Sequence, residues 1–144
     1  MANSLFQAFK GIQLGDGAYS GFTKVSFESD TLKVILIDSA DDTIAVNTDE
    51  DLNDVAGGAI VATGTLASVT AVSSSNTVTI DAADTTLSAV TGDQSEQVII
   101  YRDSGSGATS QLIAFFDTFA SGMPVTPNGG DIVLSYNASG IFAW

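Results

Sequence analysis

The sequence contains no cysteine and no histidine, and only four of its 144 residues are lysine or arginine. The missing side chains exclude a disulfide, a Ser-His-Asp or Cys-His nucleophile, and a zinc site built from cysteine and histidine. The scarcity of cations argues against binding to nucleic acid or to an anionic membrane surface, since both need lysine and arginine. We therefore expect a chain that is not an enzyme, with no catalytic residue and no cofactor.

The charge that is present is acidic, with 17 Asp and Glu residues and a net charge of −13. Most of these residues are aspartates between apolar runs, and aspartate favours turns. Hydrophobic residues make up 44% of the chain, which is enough for the core of a single domain of this length.

No apolar run approaches the roughly 20 residues of a membrane span, and no secretory signal is recognisable. We expect a soluble chain made in a cytosol.

The first thirty residues differ from the rest. Leu5, Phe6 and Phe9 have the spacing of a short amphipathic helical turn, and the glycines that follow disfavour a longer helix. Since large apolar side chains are costly to expose, we predict that residues 1–30 form an extended N-terminal arm that packs on another chain. Residues 31–144 then form one β domain, and a hairpin folded onto that domain is the alternative to an arm. The predicted partner-binding residues are Leu5, Phe6, Phe9, Ile12, Leu14 and Phe22.

The rest of the chain alternates short apolar, β-branched runs with polar turns, which indicates an all-β domain. The spacing of the runs predicts a single β-sandwich or β-barrel-like domain. A single helical turn capped by Thr48 is predicted at 48–55, and the apolar end of the chain predicts a final strand with Trp144 buried. The predicted strands are 31–38, 43–47, 60–67, 68–72, 77–81, 86–90, 97–103, 111–117, 131–136 and 140–144.

The runs 97–103 and 111–117 flank a segment rich in glycine and serine, which predicts a long β-hairpin. Both runs are almost continuously apolar, so we expect both strands to be buried on two faces. Phe115 and Phe116 are adjacent and must point to opposite faces of the strand. If one face is the core, a second layer or a neighbouring subunit covers the other.

Acidic residues cluster where cation sites are conceivable. The pattern Asn-x-Asp-x-Asp at 47–51 opens like an EF-hand loop but lacks the later glycine and glutamate. A looser calcium site from Asp38, Asp41 and Asp42 is an alternative to solvated acidic turns. We prefer the acidic turns and assign no metal site.

The run Pro-Val-Thr-Pro-Asn-Gly-Gly-Asp at 124–131 is the most specific motif of the chain. Together with other stretches it resembles small structural proteins encoded by tailed bacteriophages. The resemblance covers most of residues 31–144 and none of the first thirty, and it implies a virion component without catalytic residues. The other stretches are 33–38, 51–63, 83–93, 98–103, 112–117 and 141–142.

Within that group we expect a capsid decoration or cement protein on the outer surface of the head, made in the host cytoplasm. The strong acidity suits the outside of a shell better than its DNA-lined inside. The expected partners are the major capsid protein and other copies of the chain, as a homotrimer, without nucleic acid or membrane. A tail, neck or fibre-base structural protein is one alternative, and a calcium- or glycan-binding surface module is another.

Overall fold

The computed structural model describes residues 3–144, and its architecture is all-β with one α-helix, α1 (Gln7–Leu14). Within these residues, no helix is long and apolar enough to cross a membrane. The strands are β1 (Ser4–Leu5), β2 (Leu32–Ile37), β3 (Ile60–Thr65), β4 (Ala67–Ser74), β5 (Thr77–Ala83), β6 (Thr85–Leu87), β7 (Gln97–Arg102), β8 (Leu112–Phe116), β9 (Ile132–Leu134) and β10 (Phe142–Ala143).

The strands form three antiparallel sheets. The largest has the order β1-β8-β7-β2-β3, a second has the order β10-β5-β4, and β6 pairs with β9. Across residues 3–144 the strand pairing does not close into a barrel. The predicted all-β class is confirmed.

The centre of the large sheet is formed by the most apolar runs of the sequence. In β2, Ile35 lies opposite Ile99 of β7, and Ile99 in turn lies opposite Phe115 of β8. All three side chains are fully or almost fully buried. The predicted strand at 31–38 and the predicted hairpin at 97–117 are therefore confirmed, because β-branched side chains fit a sheet that is covered on both faces.

The N-terminal segment packs on its own domain. The β1 strand pairs with β8, and α1 buries Phe9 and Ile12 in the core of the domain. The arm predicted for residues 1–30 is corrected to this extent: residues 4–14 form a strand and a helix within the core rather than an extension away from it. The predicted helical turn is confirmed and continues through Gly11, where an added Cβ would lie 2.6 Å from a ring carbon of Tyr19.

Residues 43–47 do not form the predicted strand. The Asp49 carboxylate accepts a hydrogen bond from Ala45 N–H at 2.6 Å, and the Val46 carbonyl accepts one from Gln7 N–H at 2.9 Å. These bonds occupy the groups that a strand ladder would use, so the segment forms a turn. Burial of the Asp49 carboxyl, next to other carboxylates, raises its pKa.

The helical turn predicted at 48–55 is a 3₁₀ turn over Leu52–Asp54. Its cap is Asp51 rather than Thr48, because the Asp51 carboxylate accepts from Asn53 N–H at 2.8 Å. The Asp54 carboxylate reaches back to Asp51 N–H at 3.2 Å, which completes a capping box.

The C-terminal strand is paired, as predicted. Val78 of β5 and Trp144 exchange both backbone hydrogen bonds, at 2.9 and 3.0 Å. The prediction that Trp144 is buried is wrong, since its side chain is 44% exposed. One face of its indole contacts Phe9, with ring centroids 5.3 Å apart.

Three further features bear on stability. Lys33 and Asp103 form an ion pair at 2.6 Å, and their hydrogen bond raises the pKa of Lys33 and lowers that of Asp103. At Gly64 in β3, an added Cβ would lie 2.5 Å from Leu87. Gln111 is fully buried, and neither atom of its amide has a hydrogen-bond partner within the described chain.

Candidate functional site: an apolar groove

An apolar groove of about 240 Å³ lies along β7 and β8. Val98 and Ile100 alternate along β7 and point into it, while Phe116 comes from the end of β8. The opposite wall comes from β9 and from the loop that follows β8. The other main apolar lining residues are Phe119, Met123, Val125, Ile132, Leu134 and Ile141.

The groove exists because Phe115 and Phe116 point to opposite faces of β8. Phe115 is almost fully buried, whereas Phe116 is only partly covered. We expected a second layer or a neighbouring subunit to cover the face of β8 that carries Phe116. The described chain covers that face only in part. Val133, on the rim, leaves 56% of its side chain exposed.

The polar groups of the groove are few. Among its lining residues in the described chain, none is Asp, Glu, Lys or Arg. The Tyr136 hydroxyl donates to Thr85 Oγ1 at 3.1 Å, and burial raises the pKa of this phenol above its ordinary value. The lining of the groove is thus mainly apolar, with few polar side chains. Its chemistry suits the binding of apolar side chains.

A second depression, with a mixed polar and apolar lining, continues the groove toward the N-terminus. It is lined by Leu5 of β1, by Ala114 of β8 and by Phe142 of β10, and it shares Phe116 and Ile141 with the groove. The two together form an elongated surface between the edge of the large sheet and the C-terminal strand.

The six predicted partner-binding residues do not lie on one surface. Phe6, Phe9 and Ile12 are buried in the core of the domain, so they stabilise this chain. Phe22 is half-buried, as is Leu5, whereas Leu14 is 80% exposed. Partner binding by the segment stays a prediction, and Leu14 is the most accessible of the six residues.

Three acidic residues of the described chain form a close cluster. Carboxylate oxygens of Asp38, Asp41 and Asp93 lie within 4.8 Å of one another. Asp42, the third member of the alternative calcium site, instead accepts a hydrogen bond from Ala56 N–H at 2.7 Å. Asp38 accepts one from Ala40 N–H at 2.7 Å, and the other two members are exposed.

No protein-family model matches the chain, and no curated protein matches its sequence. The groove was not predicted from the sequence, because its walls come from separate stretches around residues 98–100, 116–125 and 132–141. The one signal of it in the sequence is the adjacent pair Phe115 and Phe116, which requires cover on both faces of a strand.

Proposed function

We propose that this protein is a structural component of a tailed-phage virion, and specifically a capsid decoration protein that bridges subunits of the head shell. The observation that carries the proposal is the apolar groove, which has no charged side chain in its lining and is continued by a second depression. The resemblance of residues 31–144 to small phage structural proteins supports the same conclusion. We propose no catalysis.

The acidity of the chain fits this role. With a net charge of −13, copies repel one another and repel DNA. An apolar contact surface on a strongly acidic molecule favours binding to an assembled shell over aggregation in solution. The outer surface of the head is the location that these properties favour, and the major capsid protein is the proposed partner.

Stabilisation of a shell follows from mass action. A ligand that binds only the assembled shell stabilises each site by RT ln(1 + [L]/Kd), or about 2.7 kcal/mol at a concentration one hundred times Kd. Summed over many equivalent sites, this contribution resists thermal or pressure-driven disassembly. A homotrimer at local three-fold positions is the proposed stoichiometry on the shell.

We further propose that the two larger sheets are layers of a β-sandwich. The chain passes from β3 in one sheet to β4 in the other through the single buried residue Leu66. Val69 of β4 and Ala82 of β5 pack against the core cluster that the large sheet builds. Such sharing of one core between sheets is typical of sandwiches.

The proposal is tested by binding to shells assembled without this chain. Val133→Glu places a carboxylate on the groove rim at a site that is already exposed, and we expect it to reduce the amount of protein that pellets with the shells. Thr63→Glu is the matched control, since Thr63 is exposed on β3, outside the groove. Equal binding of wild type and Val133→Glu, or equal loss in both variants, would contradict a role for the groove.

The copy number in purified virions tests the location. Hundreds of copies support a shell protein, whereas a small symmetric set of copies supports the alternative of a neck, tail or fibre-base protein.

A further inference from the structure

The outer edge of β4 is open. In the sheet β10-β5-β4, β4 is the last strand, and no other strand within residues 3–144 pairs with it. Most of its residues are exposed, including Val72 at 58%. An exposed strand edge of this length carries unpaired N–H and C=O groups and is a template for pairing with a further strand.

The pairing of β5 shows which groups of β4 point outward. Val78 exchanges both of its backbone hydrogen bonds with Trp144, on the side away from β4. Its partner across the hairpin, Ser73, therefore points its own N–H and C=O outward, because groups alternate along an antiparallel pair. Ile80 likewise accepts from Ile141, and its partner Ala71 points outward as well.

The edge is also free of charge. From Val55 to Ile80 the sequence has no Asp, Glu, Lys or Arg, although the whole chain carries a net charge of −13. Edge strands are commonly protected from pairing by charged side chains, and β4 has none of its own. The one protecting contact comes from another segment: the Glu28 carboxylate accepts from Ala71 N–H at 3.4 Å.

We infer that the β4 edge is a pairing surface for a second copy of this chain, with the two β4 strands antiparallel about a two-fold axis at Val72. In this register Ala71 of each copy lies opposite Ser73 of the other, so that their outward N–H and C=O groups form four hydrogen bonds. Val72 of one copy lies opposite Val72 of the other in a non-hydrogen-bonded pair, the kind of pair in which side chains are closest. The exposed valine is thereby covered.

A second copy is the occupant that the strand itself fits, because the outward groups of Ala71 and Ser73 are self-complementary about Val72. Two chains of net charge −13 repel each other over most of their surfaces, and this edge lets them meet without a charged side chain on either strand. The remaining repulsion is long-range and screened by salt, so pairing strengthens as ionic strength rises. Release of Glu28 from Ala71 N–H is the local change that pairing requires.

The register is tested first by cross-linking. The chain has no cysteine, so Val72→Cys introduces one thiol per copy. Non-hydrogen-bonded partners have Cα atoms about 4.5 Å apart, which is within the range of a disulfide. We expect mild oxidation to give a covalent dimer, and Val133→Cys, at 56% exposure, to stay largely monomeric. Equal cross-linking of the two variants, or none in either, would overturn the inference.

The affinity is tested by sedimentation velocity on the free chain from micromolar to millimolar concentration. We expect reversible dimers that strengthen with salt, that are lost in Val72→Glu, and that persist in Val133→Glu. Glu28→Ala removes the competing acceptor and is expected to lower the dimer Kd roughly threefold. A monomer at all concentrations, or loss of dimers in Val133→Glu alone, would overturn the inference. Because no shells are used, these outcomes are separate from those that test the proposed function.

Discussion

Replacing Phe9 by alanine tests whether the N-terminal helix belongs to the core of this domain. Phe9 is fully buried, and its ring contacts Phe27 edge-on at 6.0 Å and Trp144 at 5.3 Å between centroids. Truncation of a buried phenylalanine costs about 3–5 kcal/mol, which includes the cavity left behind. That is a large fraction of the roughly 5–15 kcal/mol by which a domain is stable.

The expected loss is measurable by urea unfolding. With a slope of about 2 kcal/mol per molar, a loss of about 4 kcal/mol lowers the midpoint by about 2 M. The only tryptophan of the chain, Trp144, reports on the same contact through its fluorescence. Leu14→Ala on the same helix is the control, because a side chain that is 80% exposed contributes within about 0.5 kcal/mol.

A decrease of less than about 1 kcal/mol in the free energy of unfolding of Phe9→Ala would refute the reasoning. Such a small value is expected if the N-terminal segment is a free arm in the isolated chain. If the alanine variant does not fold, Phe9→Leu keeps most of the volume and is expected to lose about 1–1.5 kcal/mol. A leucine variant as stable as wild type would refute the reasoning equally.

Three further outcomes are expected from the same unfolding assay. Gly64→Ala forces packed side chains apart and is expected to lower the free energy of unfolding by about 1–3 kcal/mol. Gly58→Ala is the control and is expected not to lower it, because its new Cβ meets nothing within 4 Å. Gln111→Met removes a buried amide without partners and is expected to raise stability by about 1–3 kcal/mol; unchanged stability would argue against this reasoning. Lys33 lowers the pKa of Asp103, so this carboxylate stabilises the fold above its unfolded pKa of about 3.9, and that contribution is lost as pH falls through the folded pKa. Asp103→Asn should therefore cost up to about 1 kcal/mol at pH 7 and progressively less as the pH falls below about 4.

The central strands were predictable because their signal is local. In β2 and β7, consecutive β-branched residues such as Ile35 and Ile99 identify a strand buried on both faces. The turn of the β4–β5 hairpin is likewise local, since Ser75 and Asn76 adopt positive φ values of 51° and 65° at the predicted turn.

The errors arose where distant groups decide the structure. Val46 bonds to Gln7, and the Ala45 N–H bonds to a side chain, so the β-branched run at 43–47 has no strand partner. Gly11 argued against a helix by propensity, yet the close approach of Tyr19 leaves no room for a larger residue there. The groove could not be predicted for the same reason, since no local pattern specifies which separate stretches face each other.

The pairing of β1 with β8 joins Ser4 to Phe115, which lie more than one hundred residues apart in the sequence, and β2 pairs with β7 across a connection of about sixty residues. Such contacts form only after long loops close, so the chain loses conformational entropy before it gains burial. Folding is then slow compared with helical proteins of equal size, on a scale of milliseconds to seconds. During that interval the apolar strands of the central sheet are exposed in every newly made copy. The acidity of the chain, which keeps unfolded copies apart as well as folded ones, therefore protects the protein most during its own synthesis.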